Sequence, residues 1–346
     1  MAILKSQAPT LLDVARLADV SLKTASRVLN NERVSEDKVL RVRAAMERLG
    51  YRPNELARGL KAQRSAAIGM IVPNLSDPFT ANAVHAVQEV ARANGYVVIL
   101  ASSGGDLEVE RSEIVSLVNR QIDGLIVAPA DSRTDSFSDL IPNGVHAVTF
   151  DQQLRNADLD SVTVTNRRSA RVATAHLISH GLRRIVAIGA RPHLYTCRER
   201  VAGYRAGMKT ASLEPRVCLV EHERMLTAAW LEDQVIGLQK ADAILTLNWV
   251  CTILSLRGLR ELGKTAGRDI PMLSFDDFDL SDMLTPSLSV VQQPAEMLGR
   301  EAATLLFERL KGGSGEPRAV VLPTTLILRE SCGCDAQRQR NSVIGH

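Results

Sequence analysis

The sequence predicts an α/β protein, in which a small all-α unit precedes two lobes that are each built on a doubly wound parallel sheet. Up to about residue 65, the apolar residues recur at helical spacing, three or four positions apart. From residue 66 onward, short apolar strands alternate with amphipathic helices. There are too many such strands for one compact sheet, which favours two lobes.

The stretch from Thr10 to Asn30 reads as two short helices around a tight turn. Thr10 and Asp13 have capping-box spacing, and the apolar residues behind them share one helical face that ends near Asp19. Ser21 is a good N-cap for the second helix. The outer face of that helix offers a cation, hydroxyl and amide groups and an apolar contact, which are the groups that read base edges. The residues of this face are Leu22, Lys23, Ser26, Arg27 and Asn30.

This pattern is typical of a helix-turn-helix whose second helix enters the major groove of DNA, although an ordinary helical hairpin with a solvated face has the same periodicity. Charge favours the first interpretation. Residues 1–65 hold 13 Lys/Arg against 7 Asp/Glu, whereas the whole chain has a net charge of only +3. A basic module on a neutral-to-acidic body is typical of nucleic-acid binding, because phosphate contacts supply most of the non-specific affinity.

The next residues predict a third helix and then a weak fourth one. Ser35 is the expected N-cap of the third helix, acidic residues occupy its first turn, and Gly50 ends it. Residues 51–61 have the pattern of a helix of about two turns, too short to be stable alone in water. Gly59 weakens it further, so we expect this segment to fold only against another surface.

The rest of the chain predicts the alternating strands and helices of the two lobes. In such sheets, ligands bind beyond the carboxyl ends of the strands, so the candidate site lies there. We predict strands at residues 67–72, 96–100, 124–128, 147–150, 184–188, 217–220, 243–246 and 272–275, with helices that include 79–94, 107–120, 168–180 and 249–262.

Composition restricts the class of protein. A chain of 346 residues that is 45% hydrophobic can bury a sizeable core in two or three domains, and with only 3% aromatic residues that core must be mainly aliphatic. The N-terminus has no signal-peptide pattern, and no run of 18 apolar residues occurs, so we expect a soluble cytoplasmic protein with no membrane partner.

The five cysteines are odd in number and scattered, which argues against a disulfide framework. Cys332 and Cys334 could chelate a metal, but we expect no second Cys/His pair nearby. We therefore expect no metal and no cofactor.

Taken together, these residues make the chain resemble the lactose/galactose-repressor (LacI/GalR) family of bacterial transcription regulators over about residues 10–332. The matching segments are LLDVARLADVSLKTASRVLN, GYRPNELARGLK, IGMIVPNLSDPF, IDGLIVAP, HLISHGLRRIVAIG, RERVAGYRAG, LSFDDFDLSDMLTPSLSVVQQP and LPTTLILRES. The N-terminal match is the most specific, since a helix-turn-helix is followed at the family's spacing by its hinge motif and then by a periplasmic-binding-protein-like body.

The resemblance implies a homodimeric repressor that binds pseudo-palindromic operator double-stranded DNA under the control of a small-molecule effector. It implies a headpiece at residues 1–52, a hinge helix and linker at 53–65, a core at 66–334 and a tail at 335–346. Within the core, one lobe would comprise about 66–163 and 294–323, and the other about 164–291 and 324–334. The DNA-binding residues would be Thr10, Ser21, Leu22, Lys23, Thr24, Ser26, Arg27, Asn30, Tyr51, Asn54, Ala57, Arg58, Leu60 and Lys61.

Leu60 matches the hinge leucine that, in the family, wedges into the minor groove and kinks the duplex. Arg58 and Lys61 would flank it on phosphates or groove edges. The alternative for Leu60 is a linker leucine that packs on the core.

Residues at the strand ends form the candidate effector pocket. Carboxylates, amides and an arginine, with a ring to cover an apolar face, suit the hydroxyl groups of a sugar or polyol, or a small acid. Each residue alone could equally cap a helix, start a turn or form a surface ion pair. The candidates are Asn74, Asp77, Phe79, Asp151, Thr196, Arg200, Asn248, Trp249 and Asp276.

Two departures from the family pattern affect the choice of effector. The family commonly has Asn-Asp where this chain has Asn248-Trp249, and Asp-Asn where this chain has Thr165-Asn166. Two carboxylates are lost and an indole is gained, which puts a standard hexose in doubt. Trp249 could stack on the effector or pack its helix against the lobe.

Two other function classes are weighed against a regulator. An enzyme is disfavoured because the sequence has no glycine-rich phosphate loop, no nucleophile elbow and no His-carboxylate set at the strand ends. A solute-binding sensor without DNA activity is disfavoured by the basic headpiece and the hinge motif.

Overall fold

The computed structural model describes residues 9–30, 32–52, 65–132, 140–142, 144–154 and 158–334. The chain divides into two compact units, Met1–Ser65 and Ala66–His346. Among the described residues, no helix is long and apolar enough to cross a membrane.

The described residues of the first unit form three helices, α1 (Leu11–Leu17), α2 (Leu22–Leu29) and α3 (Glu36–Leu49). The predicted capping box at the start of α1 is confirmed, with the Thr10 amide donating to Asp13 Oδ2 over 2.9 Å. The small buried core of this unit is formed by Val14, Ala15, Ala18, Ala25, Val28, Val42 and Ala45.

Two helix ends in this unit differ from the prediction. Helix α1 ends at Leu17 rather than near Asp19, because Asp19 adopts a left-handed backbone with φ of 49° inside the turn, a conformation that Asp tolerates. Ser35 precedes α3 as expected, but its side chain makes no capping hydrogen bond. The glycine stop is confirmed, since Gly50 has φ of 61° and its amide donates to the Glu47 carbonyl.

The described residues of the second unit form two six-stranded sheets. In chain order its elements are β1 (Ala67–Val72), α4 (Pro78–Ala93), β2 (Val97–Ser102), α5 (Leu107–Asn119), β3 (Gly124–Val127), β4 (His146–Phe150), β5 (Asp160–Val164), α6 (Asn166–Ser179), β6 (Ile185–Ala190), α7 (Tyr195–Thr210), β7 (Arg216–Val220), a 3₁₀ turn (Glu223–Met225), α8 (Ala228–Trp230) continued by a π-helix (Leu231–Leu238), β8 (Ala243–Thr246), α9 (Trp249–Glu261), β9 (Met272–Phe275), β10 (Ser289–Gln292), α10 (Ala295–Leu310), β11 (Ala319–Leu322) and β12 (Thr325–Ile327).

The first sheet has the order β11-β5-β4-β3-β1-β2 and is parallel throughout. The second has the order β12-β10-β9-β8-β6-β7, and β12 pairs antiparallel with β10. Helices cover the sheets, and their apolar faces bury aliphatic cores around β1 and β4 in one lobe and around β6 and β8 in the other. The predicted α/β class with two mostly parallel sheets is confirmed.

All eight predicted strands are present within two residues of their predicted bounds, but β5, β10, β11, β12 and helix α10 were not predicted. Strand β5 reads as polar because Asp160, Ser161 and Thr163 lie on it, yet every residue of this strand is buried. The polar groups are satisfied within the fold; Asp160, for example, accepts two hydrogen bonds from Arg309. The edge strands β11 and β12 have only four and three residues, which is too short for a period to show.

Candidate functional site

The outer face of α2 is open to solvent. Its apolar residues Ala25 and Val28 are buried, whereas Leu22 is 48% exposed although it is a large apolar side chain. Lys23 and Asn30 are exposed, and Arg27 is exposed while its Nε lies 3.1 Å from Glu32 Oε2. A solvated face that carries cations, an amide and one exposed leucine can contact both phosphates and base edges.

Several predicted DNA-contact residues also have local roles in the headpiece. The hydroxyl of Thr10 belongs to the capping box, and Ser21 Oγ caps α2 by accepting from the Thr24 amide over 3.1 Å. Tyr51 is half-buried against the headpiece core. The hinge candidates Asn54, Ala57, Arg58, Leu60 and Lys61 lie outside the described residues.

In the core, two carboxyl groups follow strands of the first sheet. Asp77, after β1, is the N-cap of α4 and accepts from the Phe79 amide over 3.0 Å. Burial raises the pKa of Asp77 to about 7, and the negative charge of Asp276 adds to the shift. Asp151 follows β4, and burial raises its pKa to about 6 even though Arg200 acts in the opposite direction. These carboxyl groups are therefore held where their negative charge is poorly solvated.

The second sheet contributes a cation and a third carboxyl group. Arg200, on α7, is 3% exposed; its Nε donates to Asn166 Oδ1 over 2.7 Å and its Nη1 to the Leu247 carbonyl over 2.7 Å. Its guanidinium lies 4.3 Å from the centre of the Phe275 ring. Asp276, which directly follows β9, is 6% exposed and accepts from the Trp249 amide over 3.0 Å.

The backbone has a special conformation at the two strand-end aspartates. Asp151 has φ of 61° and Asp276 has φ of 73°, both in the left-handed region that few non-glycine residues adopt. The same conformation thus occurs after β4 in one lobe and after β9 in the other, at positions whose carboxyl groups influence each other. Strained backbone of this kind concentrates at ligand sites.

Hydrogen bonds join the lobes beside these charges. Gln152 Nε2 donates both to Asp151 Oδ2 over 2.9 Å and to Thr196 Oγ1 over 2.8 Å, which links the first lobe to α7. Gln293 Nε2 donates to Asp276 Oδ1 over 2.5 Å. Four of the predicted pocket residues, Asp77, Asp151, Arg200 and Asp276, therefore lie close enough to interact electrostatically, and Thr196 is connected to them.

Three buried polar atoms at this place have no hydrogen-bond partner among the described residues. They are Asn166 Nδ2, Trp249 Nε1 and Gln293 Oε1. A buried donor or acceptor without a partner is costly, and a ligand with hydroxyl groups would supply the missing bonds. Trp249 binds Asp276 through its backbone amide, and its indole Nε1 is a buried donor without a partner among the described residues.

The remaining predicted pocket residues have local roles. Asn248 caps α9, with Oδ1 accepting from the Cys251 amide over 2.8 Å. Asn74 is exposed, and its Oδ1 accepts from the Ser76 amide over 2.9 Å. Phe79 is half-buried and packs against the core of the first lobe.

Sequence reasoning did not select Gln152, Asn166 or Gln293 for the pocket. A signal existed for Gln152, which adjoins Asp151 at a strand end, and for Asn166, which stands in a pair that departs from the family pattern. Gln293 follows β10, a strand that was not predicted, so nothing in the sequence placed it at the cleft.

Spacing along the chain also concealed a cluster at the C-terminal end of the core. The sequence has no Cys/His pair near Cys332 and Cys334, but the fold places His176 and His180 beside them. The expectation that no second Cys/His pair lies near Cys332 and Cys334 is therefore wrong, because α6 and the segment after β12 pack together.

Comparison with known proteins identifies both units. Residues 10–54 match the family described as bacterial regulatory proteins, lacI family, and residues 174–332 match the periplasmic binding protein-like domain. The HTH-type transcriptional regulator PtxS of Pseudomonas putida is 32% identical over 331 residues, which cover 93% of this chain and 95% of that protein. The HTH-type transcriptional repressor PurR of Aliivibrio fischeri is 29% identical, with coverage of 93% and 98%.

A solved structure of the lac repressor dimer, bound to operator and the anti-inducer ONPF, superposes with a TM-score of 0.82. It is 23% identical and covers 94% of this chain and 99% of that chain, so it supports the fold. Given the matched headpiece and core and the extent of the likeness to PtxS, this chain belongs to the lacI family of bacterial regulatory proteins and is a DNA-binding transcription regulator.

Proposed function

We propose that this protein is a repressor that binds pseudo-palindromic operator DNA as a homodimer, and that a sugar, polyol or sugar acid in the cleft controls its affinity for that DNA. In this proposal residues 1–52 are the reading headpiece, 53–65 the hinge and 66–334 the sensor core. The observation that carries the proposal is the solvated face of α2. Leu22, Lys23 and Arg27 are exposed on this short helix, which Ser21 caps.

The proposed base and phosphate contacts follow from the chemistry of that face. Lys23 and Arg27 can each donate to a guanine edge or a phosphate, and Leu22 can contact a thymine methyl group. Ser26 and Asn30 add hydroxyl and amide groups on the same side. One small headpiece buries little surface, so useful affinity requires two copies on two half-sites.

The hinge completes the proposed DNA interface. Leu60 would wedge into the minor groove, with Arg58 and Lys61 on the adjacent backbone, as the family resemblance implies. Leu60→Ser should then weaken binding to the preferred site and reduce DNA bending, whereas unchanged bending would contradict the wedge.

The charges of the cleft support a polyhydroxylated ligand. Carboxyl groups from both lobes accept from sugar hydroxyls, Arg200 can hold an acidic group, and the unpartnered atoms of Asn166 and Trp249 can bind further hydroxyls. The effector class is inferred from this chain's own residues.

Control by the effector would be a population shift between lobe arrangements. A ligand that bridges both lobes favours the arrangement in which it makes both sets of contacts, and this changes how readily the paired hinges fold on DNA. Because the isolated hinge helix is marginal, a few kcal/mol of differential binding is sufficient.

Two further statements are part of the proposal. The chain acts in the cytoplasm, where its DNA target and a metabolite effector are both present, and it catalyses no reaction on that effector. A solute-binding sensor without DNA activity remains the alternative.

The experiment selects DNA sites from a random-sequence library with the purified full-length protein. We expect a pseudo-palindromic consensus bound by two chains, and a screen of sugars, polyols and sugar acids by thermal shift should find a compound that changes operator affinity. Binding without sequence preference would contradict the repressor proposal. An effector that binds the core but leaves DNA affinity unchanged would support the solute-sensor alternative.

A further inference from the structure

We propose that His176, His180, Cys332 and Cys334 bind a Zn²⁺ ion tetrahedrally and that this ion fastens the C-terminal segment of the core to α6. His176 lies on α6, and His180, four residues later, is its C-cap, so both imidazoles project from the same helical face. The cysteines are separated by one residue in the segment after β12. Four ligand atoms from two distant parts of the chain thus meet at one point.

The distances between these atoms suit coordination. Cys332 Sγ lies 3.2 Å from His176 Nε2 and 3.4 Å from Cys334 Sγ. Cys334 Sγ lies 3.5 Å from His176 Nε2 and 3.3 Å from His180 Nε2, and all four atoms are within 4.8 Å of one another. For zinc with two nitrogen and two sulfur ligands, the edges of the tetrahedron are about 3.3–3.8 Å. The four printed contacts lie within a few tenths of an ångström of these edges, while the widest pair, which is within 4.8 Å, would close by about 1 Å when the ion binds.

The type of ligand favours zinc over hard cations. Two thiolates and two imidazoles form one of the donor sets of structural zinc sites, whereas Mg²⁺ and Ca²⁺ require oxygen ligands. Two thiolates also cancel the charge of the ion, which limits the cost of burying it. With four protein ligands no position stays open for substrate, so the ion has a structural role.

Neighbouring groups already orient the cysteines. Ser289 Oγ donates to Cys332 Sγ over 3.1 Å and itself accepts from the Arg329 amide over 2.8 Å. Hydrogen bonds of this kind around a thiolate stabilise its charge and fix its direction. Gly333 has φ of 95°, a conformation that lets the short loop direct both thiols to the same side.

The site is accessible to an ion and is joined to the rest of the core. Cys332 is buried in the apolar core of the second lobe, whereas His180 is exposed, so an ion can enter from the solvent side. Helix α6 runs from this cluster to Asn166, which accepts the hydrogen bond from Arg200 in the cleft. An ion here would therefore stiffen a helix whose other end contributes to the effector site.

The test measures metal content of the full-length protein, purified without a histidine tag and under reducing conditions. We expect about one zinc ion per chain in the wild type, and less than about a tenth of that in Cys334→Ser and His180→Ala. Both residues reach the surface of the cluster, so both variants should keep the circular dichroism spectrum and operator binding of the wild type. Matched controls are Cys218→Ala, which changes a buried cysteine elsewhere, and His222→Ala, which changes an exposed histidine; both should retain zinc.

Cobalt substitution gives an independent readout. The wild type loaded with Co²⁺ should show the intense visible absorption of tetrahedral cobalt with thiolate ligands, and Cys334→Ser should lose it. The proposal is overturned if the reduced wild type binds neither ion, if both variants retain zinc at the wild-type level, if only copper(I) is bound, or if mass spectrometry finds a Cys332–Cys334 disulfide that persists in reductant.

Discussion

In the headpiece, Lys23 and Arg27 lie in solvent above two small buried residues, whereas in the cleft Arg200 and Asp276 are only 3% and 6% exposed. Charged side chains therefore lie in different electrostatic environments at the two places. Charges in water interact weakly and are screened by salt, while buried charges interact strongly with their neighbours and depend on pH. Recognition of DNA by this protein should respond mainly to salt, and recognition of its effector mainly to the protonation and pairing of individual groups.

The largest effect is expected from the double variant Lys23→Ala/Arg27→Ala. Loss of two contacts to base edges or phosphates should weaken operator binding about 1,000-fold at constant salt, and the salt dependence should become less steep. Fluorescence anisotropy with a labelled operator, repeated over several salt concentrations, measures both quantities.

The control for that variant is Arg43→Ala, which removes an exposed cation from α3. It should change operator affinity far less, and both proteins should bind effector like the wild type. If the double variant keeps wild-type operator affinity, α2 is not the reading helix.

The next effect concerns the buried cation of the cleft. Arg200→Ala should weaken effector binding about 100-fold, since the ligand loses a charge-assisted partner and Asn166 loses the donor that orients it. Isothermal titration calorimetry measures the change. Arg205→Ala, an exposed arginine on the same helix, should have no effect on binding. Full affinity in Arg200→Ala would remove Arg200 from the proposed site.

Because the carboxyl groups of the cleft are buried, they should make the stability of the folded protein depend on pH. The pKa of Asp77 is about 7 in the folded protein, above its ordinary value near 3.8. Its protonation therefore stabilises the fold fully below about pH 4, and this contribution is lost as the pH rises to about 7. Relative to Asp77→Asn, the wild type should lose on the order of 3 kcal/mol of unfolding free energy over that range.

Chemical denaturation at several pH values measures this difference, in which the contributions of groups that do not interact with Asp77 cancel. The matched control is Asp106→Asn, because Asp106 is also a helix N-cap but is exposed, and asparagine caps a helix as well as aspartate does. The difference in unfolding free energy between Asp106→Asn and the wild type should not show this change with pH. A flat difference for Asp77→Asn would show that Asp77 is solvated in the folded protein.

The two surfaces also differ in how far the sequence predicted them. The exposed face of α2 follows from eight consecutive residues and one cap, because helical periodicity alone determines which side chains are outside. The cleft was predicted only as a set of strand ends. This reasoning brought Asp77, Asp151 and Asp276 together, because parallel strands bring their carboxyl ends to one edge. Arg200, which was named with them, lies on helix α7.

The parts that were missed depend on pairings that no local pattern records. Gln293 reaches the cleft because β10 joins the second sheet, and the histidines of α6 meet the C-terminal cysteines because two segments about 150 residues apart pack together. The short edge strands and the buried polar strand β5 also depend on tertiary partners rather than on periodicity.

The smallest effect concerns a contact between the lobes. Arg191 donates to the Gly105 carbonyl over 2.6 Å and to the Gly104 carbonyl over 3.1 Å, while its Nε pairs with Glu223 over 2.8 Å. Arg191→Ala should destabilise the present lobe arrangement. Binding of an effector that bridges both lobes should then weaken about threefold, since the arrangement that binds it becomes less populated.

The glycines provide a second way to break this contact and an internal control. A Cβ at Gly105 would lie 2.1 Å from Arg191 Nη1, whereas a Cβ at Gly104 would meet nothing within 4 Å, although both residues have positive φ. Gly105→Ala should therefore reproduce the effect of Arg191→Ala on calorimetric effector affinity, and Gly104→Ala should show only the backbone strain that both share. Because Gly105→Ala and Arg191→Ala disturb one contact, their combination should be no worse than Gly105→Ala alone. Additive losses would mean that Arg191 does not act through the loop at Gly104 and Gly105.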